Sequence, residues 1–258
     1  MPKNITQLIS KNTRLLFLIL CLFFLGFILL PWQPNEGQIK KLAQEVSRGS
    51  ALPLRLNYQS YSGKIPIEHF EFILSQNHST YKANLKIHPL DLLKIFPHDA
   101  APTNLESLID DKTFLPFYFI KNSRERFDYH HERRSVTING HDYDIEEDTR
   151  DFLSIFVWLM KQDYLNQDII KSTVNINSRV FLVVGKVQER HQLSFNSKKT
   201  QLIKLKVKGI EVNQGYRIQG VHSMEIFLVK DGSWSIPIFC VIEFNKQKIC
   251  LRLVNSHR

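Results

Sequence analysis

Leu202–Lys208 reads LIKLKVK. Ile203, Leu205 and Val207 alternate with Lys204, Lys206 and Lys208, and successive side chains of a strand point to opposite faces. The segment therefore reads as a half-buried strand with one apolar and one cationic face. The same alternation runs through Leu54–Ser60, Ile67–Leu74, Tyr81–Ile87, Phe114–Ile120, Phe127–Ile138, Ile169–Asn177 and Arg179–Glu189. It continues in Tyr216–His222, Met224–Val229, Ile236–Phe244 and Lys248–Val254. Turn signals punctuate these runs at Ser62-Gly63, Asn139-Gly140 and Asp231-Gly232, and Asn-Gly suits the positive dihedrals of a type I′ hairpin turn. The pattern predicts a mainly β protein: a meandering antiparallel curved sheet, or open half-barrel, with one inserted apolar helix and a single transmembrane helix before it.

The inserted helix is TRDFLSIFVWLMKQDY, from Thr149 onward, which follows the acidic run Asp144–Asp148. Asp148 is the expected N-cap, with Asp151 near the positive end of the helix dipole. Phe152, Ile155, Phe156, Leu159 and Met160 form one stripe, and Leu153, Val157 and Trp158 widen it beyond what a surface helix needs. Such a helix either plugs the concave side of the sheet or acts as a lid over an apolar ligand site. Phe156 and Trp158 are about 200° apart around the axis, so their rings cannot share a face. A weaker helix is expected over Leu90–Ile95, ended by Pro97.

Leu15–Trp32, LLFLILCLFFLGFILLPW, lies in a stretch with no charged residue between Arg14 and Glu36. Its length is that of a membrane-crossing helix. No small-residue cleavage site follows it, and Leu18, Ile19 and Leu20 before Cys21 do not form a lipoprotein signal. Lys3, Lys11 and Arg14 precede it, which predicts a cytoplasmic amino terminus and an exported carboxyl-terminal part. The expected organisation is a cytoplasmic tail (1–14), an uncleaved signal anchor (15–32), a juxtamembrane linker (33–53) and a β-rich periplasmic domain (54–258) at a bacterial inner membrane. The linker sequence GQIKKLAQEVSRG can form a short amphipathic helix.

The formal charge is +9 over 258 residues. In a cytosolic protein this would raise nucleic acid as a partner, but no basic and aromatic recognition motif accompanies it, and no nucleic-acid partner is expected. For an exported domain the relevant anions are lipid headgroups and envelope polymers. No glycine elbow, phosphate loop or dinucleotide fingerprint is present, so no catalytic residue and no cofactor are expected. His130, His131 and His141 cluster near Asp128, Asp142 and Asp144, but adjacent strand residues face opposite ways and no metal site is expected. Cys240 and Cys250 fall on the two arms of the last hairpin. A two-residue turn at Lys246-Gln247 would put Glu243 opposite Cys250, whereas a three-residue loop centred on Asn245 would align the two thiols.

From Leu54 onward the chain resembles a family of exported bacterial proteins, domain of unknown function 3108. The landmarks are Tyr58-Gln-Ser-Tyr-Ser-Gly63, Ser107-Leu-Ile-Asp110 leading to Leu115-Pro116, Arg126-Phe127-Asp128 and Asp151-Phe-Leu-Ser154. Gly209-Ile-Glu211 with Gly215, Ile236-Pro237 and Ile249-Cys-Leu-Arg-Leu253 complete them. The glycine usual in the family's last turn is replaced by Asn245–Lys248. The resemblance implies an antiparallel β domain of the cell envelope with no activity and no catalytic residues to carry over. In outline such a sheet is similar to the open half-barrels of lipoprotein carriers.

Two functions fit. In the first, a non-enzymatic binding module takes a lipid or other amphipathic envelope ligand on its curved sheet. Phe152, Phe156 and Trp158 would meet the apolar part, and Lys204, Lys206 and Lys208 the anionic head. In the second, the sheet is fully packed and the chain is a structural or assembly component whose partner is another envelope protein.

Overall fold

The structure, a computed structural model, describes residues 35–46, 52–89, 103–176, 179–195, 198–212, 218–244 and 247–257. The expected anchor 15–32 and the helix expected over Leu90–Ile95 lie outside these residues. Among the described residues no helix is long and apolar enough to cross a membrane.

Among the described residues fifteen strands form one sheet. In chain order they are β1 Leu54–Ser62, β2 Ile65–Asn77, β3 Thr80–Pro89, β4 Thr103–Asp110, β5 Pro116–Lys121, β6 Glu125–His130, β7 Ser135–Ile138 and β8 His141–Asp144. Then follow β9 Thr149–Arg150, β10 Ile169–Ile176, β11 Arg179–Phe195, β12 Lys198–Val212, β13 Ile218–Asp231, β14 Trp234–Phe244 and β15 Gln247–His257. The spatial order is β8-β7-β6-β5-β4-β3-β2-β1-β15-β14-β13-β12-β11-β10-β9. Every pairing is antiparallel except β9 with β10. The first and last strands thus meet in the middle, with Tyr58 opposite Leu253. The two outer edges, β8 and β9, are joined by Ile145–Asp148.

Among the described residues two α-helices accompany the sheet: α1, Glu36–Val46, and α2, Phe152–Lys161. In α1 the Asn35 and Gln38 side chains each accept from the other's backbone N–H, satisfying two donors of the first turn. Ile39, Leu42, Ala43 and Val46 fall at helical spacing and are buried against β13–β15. The linker expected from sequence is therefore partly a packed element of the domain. Helix α2 touches β3 and β4 in one half of the sheet and β9, β10 and β14 in the other. One helix reaches both halves only if the sheet curls around it, so α2 lies on the concave side.

Several boundaries depart from the expected ones. The N-cap of α2 is Asp151, not Asp148, and Thr149–Arg150 is a short parallel strand. The cap falls at Asp151 because Ser154, three residues on, closes a capping box with it. The run Phe127–Ile138 is two strands, broken by a 3-10 turn at His131–Arg133 and by Arg134 at φ 51°. From Ile218 onward, the expected segments Tyr216–His222 and Met224–Val229 are one strand that continues through Ser223. Strands β4 and β9 were not expected, whereas β8 is the second arm of the hairpin expected at Asn139-Gly140. In the last hairpin Val241 stands opposite Cys250 and Cys240 opposite Leu251, which matches neither anticipated register. The two thiols point to opposite faces, and both cysteines are buried without a disulfide between them.

Asn139 and Gly140, at φ 51° and 83°, form the left-handed turn expected between β7 and β8. Edge strand β8 is exposed throughout, and its His-Asp-Tyr-Asp sequence discourages pairing with another chain.

Candidate functional site

The corner from β9 into α2 carries the most buried charges of the described residues. The Asp151 carboxylate accepts from the backbone N–H groups of Leu153 and Ser154, both at 2.7 Å. Ser107 Oγ on β4 donates to it at 2.6 Å, and the Asp151 N–H donates to Ser154 Oγ at 2.8 Å. Burial outweighs these bonds and pushes the carboxyl up to about 6. The preceding residue works in the other direction across the fold. Arg150 donates through Nη1 to the Asp148 carbonyl at 2.9 Å and to Ser172 Oγ at 2.8 Å, and through Nη2 to the Thr113 carbonyl at 3.0 Å. Its guanidinium lies 4.9 Å from the centre of the Trp158 ring. Desolvation lowers the Arg150 pKa to about 10. Two consecutive residues thus fasten α2 to β4, β10 and the β4–β5 turn. That is a structural use of both charges.

Beside α2 lies a cleft of about 190 Å³. Phe152, Phe156 and Leu159 form its helical wall, Tyr58, Phe72 and Leu85 one side, and Met224, Ile226, Cys240 and Ile242 the other. The Tyr58 hydroxyl is turned to the Pro237 carbonyl, 2.9 Å away, so it presents no free polar group to the cleft. Burial raises both the Tyr58 phenol and the Cys240 thiol well above their ordinary values, keeping them neutral. Phe156 packs edge-on against Phe72 and Tyr58, with ring centres 4.9 and 6.5 Å apart. Phe152, 42% exposed, stands at the mouth.

The structure brings only part of the expected site together. Phe152 and Phe156 line the cleft. Trp158 does not: it lies on the other side of α2 under Arg150, against the smaller of the two apolar clusters. Ile203, Leu205 and Val207 pack with Ile155 and Leu159 of α2, so Lys204, Lys206 and Lys208 point away from the concave side. Lys204 is held by Glu189 at 3.6 Å and Glu225 at 3.9 Å and lies over the Phe227 ring, while Lys206 and Lys208 are exposed. The lysine strip and the cleft cannot grip one small ligand together. The cleft residues that sequence reading missed outside α2 sit on β1–β3 and β13–β15. Phe70, Phe72 and Leu74 carried a readable alternation, but nothing local linked them to Met224 or Ile242.

No group of three or more metal-ligating side chains gathers among the described residues. His130 Nε2 lies 3.1 Å from Thr137 Oγ1, which donates to Asp142, and His131 Nε2 lies 2.8 Å from the Pro116 carbonyl.

No protein-family model and no curated protein matches this chain. The resemblance to domain of unknown function 3108 stands on the quoted landmarks alone. Among solved structures, the chain is similar to a Bacteroides fragilis protein described as exported and YmcC-like in fold. They share 6% identity at a TM-score of 0.33, over 81% of this chain and 98% of that one. A Parabacteroides distasonis protein described as a lipoprotein gives 6% identity and a TM-score of 0.33, over 81% and 97% of the two chains.

Proposed function

We propose that this chain is a membrane-anchored, non-enzymatic protein of the bacterial cell envelope that takes the apolar end of an amphipathic molecule into the cleft beside α2. The observation that carries this reading is the cleft itself: an apolar hollow in the concave side of the sheet, rimmed by an exposed phenylalanine. Water gains little from entering such a space, whereas a methylene chain loses its hydrated surface there. The charge-free stretch 15–32 with its basic amino-terminal flank supports the anchor and the orientation.

The volume favours a modest ligand. Sites for small molecules usually span about 300 to 1,000 Å³, so this cleft admits the end of an acyl chain or a single ring and not a whole lipid. The second reading, an assembly component bound to another envelope protein, draws on the same fact, since α2 packs against both halves of the sheet and leaves only this small cleft beside it.

Native mass spectrometry of the full chain extracted from its own membrane separates the two. A lipid-sized adduct that disappears in Met224→Trp, whose larger side chain fills the mouth, is the expected result. A co-purifying protein with no small adduct would replace the first reading by the second.

A further inference from the structure

The face of β3–β6 turned away from α2 holds a second hollow, of about 380 Å³. Asn84, Glu106, Ile120 and Arg126 form one cross-strand row along β3, β4, β5 and β6, and Lys86 and Asn104 form the next row on β3 and β4. Between these rows Leu85 and Leu105 turn their side chains the other way, so only their backbone floors the hollow. Its far wall is the β5–β6 turn, where Asn122 and Ser123 both adopt left-handed conformations, at φ 53° and 54°. Asn122 is clipped to β4 twice: its N–H donates to the Asn104 carbonyl at 2.7 Å and its Oδ1 accepts from the Asn104 N–H at 2.8 Å. These two bonds hold the wall against β4, and Arg124 leaves the chain directly after it.

The charges in this hollow are unequally satisfied. Glu106 is held by Lys82 and by the Tyr118 hydroxyl, each at 3.0 Å. Arg126 is held by Asp128 through Nε at 2.8 Å, and its guanidinium lies 4.7 Å from the Tyr118 ring centre, which fixes its plane. Lys86 and Arg124 also line the hollow but make no ion pair among the described residues. Glu71 faces Lys86 across the β2–β3 ladder without bonding to it. The lining therefore offers two uncommitted cations, one oriented guanidinium, the amides of Asn84 and Asn104 and the Ser123 hydroxyl, around a preformed space.

We infer that this hollow binds a phosphate group, with Lys86 and Arg124 as its charge partners and the Asn and Ser side chains as hydrogen-bond donors to its oxygens. Guanidinium and ammonium donors flanked by neutral donors match the several acceptor oxygens of a phosphate. The site is separate from the apolar cleft: the two share Leu85, whose side chain faces the cleft and whose backbone floors the hollow. It is also separate from the lysine strip of β12, which lies exposed with no enclosing walls.

Isothermal titration calorimetry tests this on the full chain in uncharged detergent micelles, with inorganic phosphate and glycerol phosphate as probes. Saturable binding is expected, weakened at least tenfold in Lys86→Gln/Arg124→Gln and unchanged in Lys206→Gln/Lys208→Gln, a pair that removes the same charge elsewhere. Glycerol phosphate binding more tightly than inorganic phosphate would identify a lipid headgroup as the source, and equal binding a free phosphate. No saturable heat with either probe, or equal weakening by both double variants, would overturn the inference. All four substituted side chains are exposed, so the fold is not at stake.

Discussion

The hydroxyl of Ser107 and the carboxylate of Asp151 are 2.6 Å apart, and this one hydrogen bond joins the middle of β4 to the first turn of α2. Both groups are buried, and the carboxyl is raised to about 6. A carboxyl raised on folding binds its proton more tightly in the folded chain. Its contribution is therefore fully present below about pH 4, its unfolded value, and is lost as pH rises through about 6. Unfolding free energy should fall across that window by about 3 kcal/mol from this group alone. Asp151→Asn keeps an acceptor for the helix N–H groups and removes the titration. Denaturant melts at a series of pH values should show a flatter profile for the variant over this window, and an unchanged slope would assign the pH dependence to another group.

Trp158 should matter for stability and not for the cleft. Its ring covers Arg150, whose guanidinium is held between β10 and the β4–β5 turn, and it is half-buried. Trp158→Ala is expected to cost about 2 to 3 kcal/mol, from lost packing and from exposing one face of that cation. Uptake of an apolar probe by the cleft should be unchanged. Lost uptake at native stability would return Trp158 to the role of a lid.

Phe156 should show the complementary behaviour. It lies between the cleft and the rings of Phe72 and Tyr58, so Phe156→Ala should cost about 3 kcal/mol and also widen the cleft. Titration with an apolar fluorescent dye should show tighter binding to the variant than to the native chain. Weaker binding would mean that the ring itself makes the principal contact.

Gly185 on β11 faces Ile170 on β10, and a Cβ there would fall 2.7 Å from Ile170 Cγ1 and 2.9 Å from its Cδ1. Gly185→Ala should destabilise by about 1 to 3 kcal/mol through overpacking. In the Ile170→Ala background the same change should cost little, because the obstructing atoms are gone. Thermal melts of the four chains make the cycle. Equal costs in both backgrounds would locate the strain elsewhere.

The alternation in LIKLKVK made β12 and the two faces of its half of the sheet readable, because from Ile203 to Lys208 its aliphatics and lysines obey the period without exception. Strand β4 escaped notice for a physical reason. Its inward row is Leu105, Ser107 and Ile109, and the serine that breaks the apolar pattern is there to meet a carboxylate 44 residues away. The helix stripe of α2 was legible, but its cap was not, since Asp148 and Asp151 both precede the apolar run and Ser154 together with a distant serine decides between them. The cleft was the least legible feature. Its two walls belong to strands at opposite ends of the chain and become neighbours only through the β1–β15 ladder.

That ladder also imposes an order of events on the newly made chain. Strand β1 emerges early, yet its partner is the last strand, and Asn57 bonds Asn255 across 198 positions. Until that partner arrives, each half of the sheet presents an open central edge, and on β1 that edge carries Leu54, Leu56 and Tyr58. Such edges invite pairing with other chains, and long-range closures of this kind form slowly. A chain stalled or cut short before β15 is therefore left with this apolar edge unsealed, so the danger period of folding lasts until β15 is made and paired, and a holding chaperone has its natural target at β1.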